Sequence, residues 1–197
     1  RTHEYGLIAQ QASQNARDHI AALVGLSREN VVLTSGATES NNLAILGIAD
    51  FGNSEGTKHF VTTQVEHKAV LEPTEFLEDQ GYEITRVAPN SDGFVEPDRI
   101  LDAVRPDTVL VSVMHVNNET GVTQSIGTIA DELTDHPTYI HVDAAQSYGK
   151  LFDGLENSRI DLISLSGHKI YGPKGIGALL MRPRNYQVPP LRPLMYG

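Results

Sequence analysis

Short apolar runs alternate with stretches of helical periodicity along most of this chain, and few folds accept that alternation. Runs rich in β-branched residues, such as Val109-Leu110-Val111-Ser112-Val113, suit strands covered on both faces rather than strands with one wet side. Strands are expected at Val31–Thr34, His59–Thr63, Glu83–Val87, Val109–His115, Tyr139–Val142, Asp161–Ser164 and Gly177–Met181. Apolar side chains recur at helical spacing over Ile8–Val24, Thr38–Ala49, Lys68–Gln80, Pro97–Val104 and Ile126–Leu133. Gly25 follows the first of these helices where a C-terminal cap belongs. The alternation predicts an α/β three-layer sandwich with a mostly parallel sheet.

With 40% hydrophobic residues among 197, the chain can close one sizeable core. No Pro/Gly linker, low-complexity tract or internal repeat divides it before residue 186. The opening Arg1-Thr2-His3 lacks an initiator Met and the closing Leu194-Met195-Tyr196-Gly197 has no polar tail, so both ends are expected to be cut. Fifteen basic against 25 acidic residues give a formal charge of −10, which repels phosphate backbones and anionic lipid. No apolar run approaches the ~20 residues that span a bilayer. A cytoplasmic protein without direct nucleic-acid or membrane partners is expected. The chain has no Cys, which excludes disulfides, thiolate metal sites and a cysteine nucleophile within it, and no metal site is expected.

In an open parallel α/β sheet, ligands bind outside the carboxyl ends of the strands, and those positions are polar here. Thr34 leads into Ser35-Gly36-Ala37-Thr38, either an ordinary capped helix or a helix N-terminus receiving a phosphate. Glu66-His67-Lys68 puts an imidazole at a strand–helix junction, where it is solvated or stacks on an aromatic cofactor and shuttles protons. Asn117-Asn118-Glu119 is a polar turn or a ligand for carboxylates and ring oxygens. Asp143 ends a buried strand, as a helix cap or as the partner of a protonated heterocycle nitrogen, followed by Gln146. Ser166-Gly167-His168-Lys169 places a lysine among small residues, as a surface charge or as an amine able to form a Schiff base. The glycines around Lys169 imply close approach by another group.

Together the blocks Ser35-Gly36-Ala37-Thr38-Glu39-Ser40-Asn41-Asn42, Glu66-His67-Lys68, His115-Val116-Asn117-Asn118-Glu119, His141-Val142-Asp143-Ala144-Ala145-Gln146 and Ser166-Gly167-His168-Lys169-Ile170-Tyr171-Gly172-Pro173-Lys174-Gly175 resemble the cysteine desulfurases of class V aminotransferase type. The match runs from about Tyr5 to Met181 and is similar to the bacterial housekeeping and nitrogen-fixation group. The resemblance implies the large domain of a fold-type I transferase over residues 1–185, with 186–197 beginning the connection to a C-terminal small domain. It implies pyridoxal 5'-phosphate bound to Lys169, its phosphate held by Ala37, Thr38, Ser166 and His168. His67 is implied to stack on the ring and relay protons, Asp143 to pair with the ring nitrogen and Gln146 to bond the ring oxygen. Asn118 is implied near that oxygen and the substrate carboxylate, with Asn117 as the alternative.

The implied reaction converts L-cysteine to L-alanine, passing sulfur through an enzyme persulfide to an acceptor protein. The family works as a homodimer, and its accepting cysteine, a substrate-binding arginine and a phosphate-reaching threonine from the neighbouring subunit match nothing in this chain. The chain alone is therefore expected to hold the cofactor without completing sulfur transfer. Iron–sulfur assembly, tRNA thiolation and DNA phosphorothioation are all compatible destinations. Another class V enzyme, such as an aminotransferase or selenocysteine lyase, and a non-catalytic sulfur-transfer scaffold are the competing readings.

Overall fold

The computed structural model describes residues 3–196; Arg1, Thr2 and Gly197, at the two ends read above as cut, lie outside the described residues. Its elements follow the expected order, with boundaries shifted by a few residues. Helix α1 (Glu4–Ala22) starts earlier than its periodicity suggested, because the His3 side chain caps it by accepting the Gly6 N–H. It ends as expected at Gly25, whose φ of 68° lets Leu26 N–H reach Ala21 C=O and Gly25 N–H reach Ala22 C=O, the double bond of a Schellman cap.

Seven strands form one sheet in the order β1 (Val31–Thr34), β7 (Gly177–Met181), β6 (Leu162–Ser166), β5 (Tyr139–Asp143), β4 (Thr108–Met114), β2 (His59–Thr63) and β3 (Glu83–Val87). The pairs among β2 to β6 are parallel, whereas β7 is antiparallel to both β6 and β1. The reason is connection length. The parallel strands are joined by crossovers, helical except for the turn-rich segment 144–161 between β5 and β6, but β6 reaches β7 through a ten-residue Gly/Pro-rich turn too short for a crossover.

The apolar runs are buried on both sides, as their composition required. Every residue of β2, β4 and β6 is buried. On one face α2 (Ala37–Ser54) and α3 (Lys68–Asp79) cover Phe60, Leu110, Leu162 and Leu179. On the other, α1, α4 (Pro97–Ala103) and α5 (Ile126–Glu132) cover Val111, Val113, Ile140, Ile163 and Leu180. Near the end of α2, Gly52 is required by close packing, since a Cβ there would stand 2.6 Å from Val109 Cγ2 and 2.7 Å from Thr57 C=O.

Polar side chains inside the sheet act as cross-strand ties. His141 on β5 bonds Ser112 on β4 at 2.8 Å through Nδ1 and Ser164 on β6 at 2.9 Å through Nε2, so one imidazole spans three central strands. At the amino-terminal end of the parallel strands, buried Asp161 takes Arg159 at 2.7 Å, Arg184 at 2.9 Å and the Ile140 N–H at 2.7 Å. That end is saturated with paired charge.

Burial pushes the His141 imidazole down to about 3. Its contribution to stability is therefore fully present above its ordinary 6.5 and is lost as pH falls toward about 3. Urea unfolding at pH 7 and pH 4 should show a loss in the wild type that H141Q, which cannot take up the proton, lacks in part. Equal slopes in the two proteins would contradict the tie.

Candidate active site

The carboxyl ends of β1, β2, β4, β5 and β6 open onto a cavity of about 430 Å³. Ala37, Thr38, His67, Asn118, Asp143, Gln146, Ser166, His168 and Lys169 all line it, joined by Lys174 and Gly175. Residues far apart in sequence meet there because each follows or ends a strand pointing the same way.

One wall is the start of α2. The first-turn N–H groups of Ala37 and Thr38 have no acceptor within the helix, and they stand where the helix dipole favours an anion. Gly36 precedes them at φ 157°, ψ 178°, a conformation nearly closed to residues with a Cβ. A Cβ on Gly177 would lie 2.6 Å from Gly36 Cα and 2.6 Å from Leu165 C=O. The turn is thus pressed directly onto the first residue of β7. Ser166 Oγ and His168 Nδ1, 2.9 Å apart, face it from the end of β6.

Asp143 is the electrostatic centre of the floor. Only 5% exposed, its carboxylate takes Asn41 Nδ2 at 2.7 Å on one oxygen and the Ala145 N–H at 2.9 Å on the other. Burial pushes its affinity for a proton up, while those two bonds and the nearby His67 pull it down. No Lys or Arg bonds to it among the described residues. A ligand with a cationic ring nitrogen over Asp143 and an anionic group at the α2 turn would satisfy both ends of the cavity.

His67 caps α3, with Nδ1 accepting the Ala69 N–H at 3.1 Å, which leaves Nε2 to carry the ring proton. The two adjacent amides separate. Asn118 lines the cavity, bonding Glu119 Oε1 at 2.6 Å. Asn117, the alternative for the same role, does not line it: its Nδ2 donates to Val65 C=O at 2.9 Å and its Oδ1 accepts the N–H groups of Glu119 and Thr120. Its amide is consumed in holding the turn.

Lys169 sits half-buried in the 3₁₀ turn Gly167–Ile170, which Tyr171 ends in the left-handed region at φ 64°. The glycines around it are approached by the chain itself. A Cβ on Gly167 would stand 2.7 Å from Ile176 Cγ2, and one on Gly172 would stand 2.9 Å from Gly167 C=O. The turn folds back on itself and presents Lys169 to the cavity. Two contributors carried no role in the sequence: Asn41, which supports Asp143, and Glu66. An amide on the buried face of an apolar helix was the signal for Asn41. Glu66 Oε1 accepts Thr63 Oγ1 and the Met114 N–H, and burial, with Asp143 adding to it, pushes this carboxyl up to about 8.

The chain belongs to the class-V aminotransferase family, whose model matches residues 1–197. It is 52% identical over 182 residues to the cysteine desulfurase IscS of Mannheimia succiniciproducens, covering 92% of this chain and 45% of that protein. The IscS of Azotobacter vinelandii matches at 50% over the same coverage. Among solved structures, DndA from Streptomyces lividans superposes with a TM-score of 0.96 at 47% identity over 100% of this chain and 56% of that one. SspA in complex with cysteine gives 0.92 at 42%, again over 100% and 56%. The chain thus spans about half the length of the proteins it matches. Among the described residues, no helix is long and apolar enough to cross a membrane.

Gly177→Ala should force the α2 turn and β7 apart, since both obstacles are backbone, and should cost about 1–3 kcal/mol. Thermal melting checks this; an unchanged midpoint would mean the approach is not tight.

Proposed function

We propose that this chain is the cofactor-bearing part of a pyridoxal-phosphate-dependent cysteine desulfurase that takes sulfur from L-cysteine and leaves L-alanine. The observation that carries the reading is the pairing, in one cavity, of a lysine on a tight turn with a buried carboxylate to which no Lys or Arg bonds among the described residues. Identity of 50–52% to cysteine desulfurases supports the activity, and the cysteine complex of SspA supports the substrate.

Lys169 would hold the cofactor through its aldehyde carbon, and Ala37, Thr38, Ser166 and His168 would hold the phosphate. Asp143 would keep the ring nitrogen protonated, Gln146 would bond the ring oxygen, and His67 would cover the ring face. When bound, the cofactor supplies an electron sink for charge developing at the substrate's α-carbon. The amine of Lys169, once released, would take the proton from that carbon and later return one to it. His67, with Nε2 free of its own backbone, would relay protons between the substrate and solvent. Asn118 would orient the substrate carboxylate. With no Cys among the 197 residues, the sulfur-accepting thiol would come from elsewhere in the full protein. By this reading residues 1–185 form the cofactor domain, 186–197 lead toward a smaller one, and the whole works as a cytoplasmic homodimer that passes sulfur to an acceptor protein.

Full-length protein should release alanine and sulfide from L-cysteine in the presence of a thiol, and borohydride should fix a pyridoxyl group on Lys169. Recovery of that group on another residue, or none at all, would sink the assignment. Lys169→Ala should abolish the cofactor's visible absorbance. Asp143→Asn should keep cofactor bound while kcat falls by about 100-fold, the cost of roughly two units in the ring nitrogen's proton affinity; kcat unchanged in steady-state assays would remove Asp143 from this role.

A further inference from the structure

Two residues that do not line the cavity tie its walls together. Glu66, 6% exposed, accepts Thr63 Oγ1 at 2.7 Å and the Met114 N–H at 2.8 Å, both on Oε1. It thereby joins the end of β2 to the end of β4. Asn117, 8% exposed, answers in the opposite direction, its Nδ2 reaching from the loop after β4 to Val65 C=O at 2.9 Å. Each is the immediate neighbour of a cavity residue: Glu66 precedes His67, and Asn117 precedes Asn118.

We propose that Glu66 and Asn117 form a reciprocal clasp that fixes His67 and Asn118 relative to each other, and that Glu66 acts in it as an uncharged carboxylic acid. The positioning role rests on the functional reading above. The charge state follows from where the clasp is fastened. Met114 lies opposite Asp143 in the β4–β5 register, so Glu66 is bonded to the residue beside the floor carboxylate. Two carboxylates in one wall, with no Lys or Arg bonded to either among the described residues, repel each other, which favours a proton on one of them.

Their hydrogen bonds decide which. Asp143 has a donor on each oxygen, whereas Glu66 has both donors on Oε1 and none on Oε2. An anion on Glu66 would leave one buried oxygen without a donor, so of the two it is Glu66 that favours the proton and Asp143 that better tolerates the charge. The surrounding elements also carry His59 on β2, His67 and Lys68 at the start of α3 with Glu72, Glu75, Glu78 and Asp79 further along it, His115 after β4 and His141 on β5, and none of these is among the hydrogen-bond partners of Glu66. The His115 ring is fully buried with neither nitrogen bonded, and burial holds it toward the neutral form. Among the described residues nothing cationic is bonded to Glu66 to draw out its proton, in accord with the upward push on its carboxyl.

Three variants of the full-length protein test this: E66Q, E66A and N117A. E66Q keeps the Oε1 acceptor without a charge, so its kcat should stay within about twofold of wild type, while E66A and N117A should lose about tenfold in kcat with little change in KM. Amide exchange at Met114 needs no cofactor; it should stay slow in E66Q and run at least about tenfold faster in E66A. Thermal midpoints of the cofactor-free protein read the charge. A carboxyl raised from 4.5 to about 8 contributes stability that is present below 4.5 and lost as pH rises to about 8. The midpoint of E66Q should therefore gain several degrees on wild type across that window. E66Q as impaired as E66A, unchanged Met114 exchange in E66A, or parallel pH profiles would overturn the proposal. Absence of pyridoxyl on Lys169 would instead defeat the functional reading, leaving exchange and melting to decide the clasp.

Discussion

A carboxylate buried at the end of the central strand governs the design of this molecule. Removing such an ion from water costs several kcal/mol unless partners replace the solvent. Among the described residues, Asp143 receives two neutral donors, Asn41 and the Ala145 N–H. At the opposite end of the same strands Asp161 shows what full compensation looks like, with two guanidinium groups and a backbone N–H around one carboxylate. The contrast is informative because both are buried to nearly the same degree. One end of the sheet uses its charges to hold strands together; at the other, Asp143 faces the cavity with only neutral donors bonded to it among the described residues.

The carboxylate sits in a rigid frame. Asp143 ends β5, and β5 is fastened to both neighbours by His141, two residues earlier, through Ser112 and Ser164. The imidazole works as a tie because it is neutral and offers one donor and one acceptor. On the α2 side, Asn41 lies one turn beyond Thr38, so the helix that presents its N-terminus to the cavity also supports the floor carboxylate. The turn that would receive an anion and the strand end that would receive a cation are therefore not independent.

Much of this was legible in the sequence. Continuous β-branched runs marked the strands because both faces are covered, and strand ends marked the cavity because parallel strands deliver their termini to one side. The direction of β7 was not legible from periodicity, which carries no sign; the shortness of the segment after Ser166 was the available signal. The glycines near Lys169 were visible, but not what approached them. Gly167 and Gly172 accommodate their own turn, and Gly177 accommodates Gly36, contacts between segments that no local pattern encodes. His141 and Glu66 were hidden for a related reason, since a polar residue inside a buried segment shows its partners only after the strands are paired.

The pairs Glu66-His67 and Asn117-Asn118 explain why whole motifs were recognisable while single roles within them were not. Both pairs lie in the loops just after β2 and β4. One member of each pair then faces the cavity and the other faces the wall. A histidine or amide that must meet a ligand at a fixed position needs its backbone held, and the residue best placed to hold it is the one before it, pointing inward. The anchor must be polar to reach backbone donors and acceptors at the strand ends, and it must be satisfied there because it is buried. In these two pairs two polar residues sit side by side, and only the packed sheet distinguishes the one that lines the cavity from the one that bonds its wall.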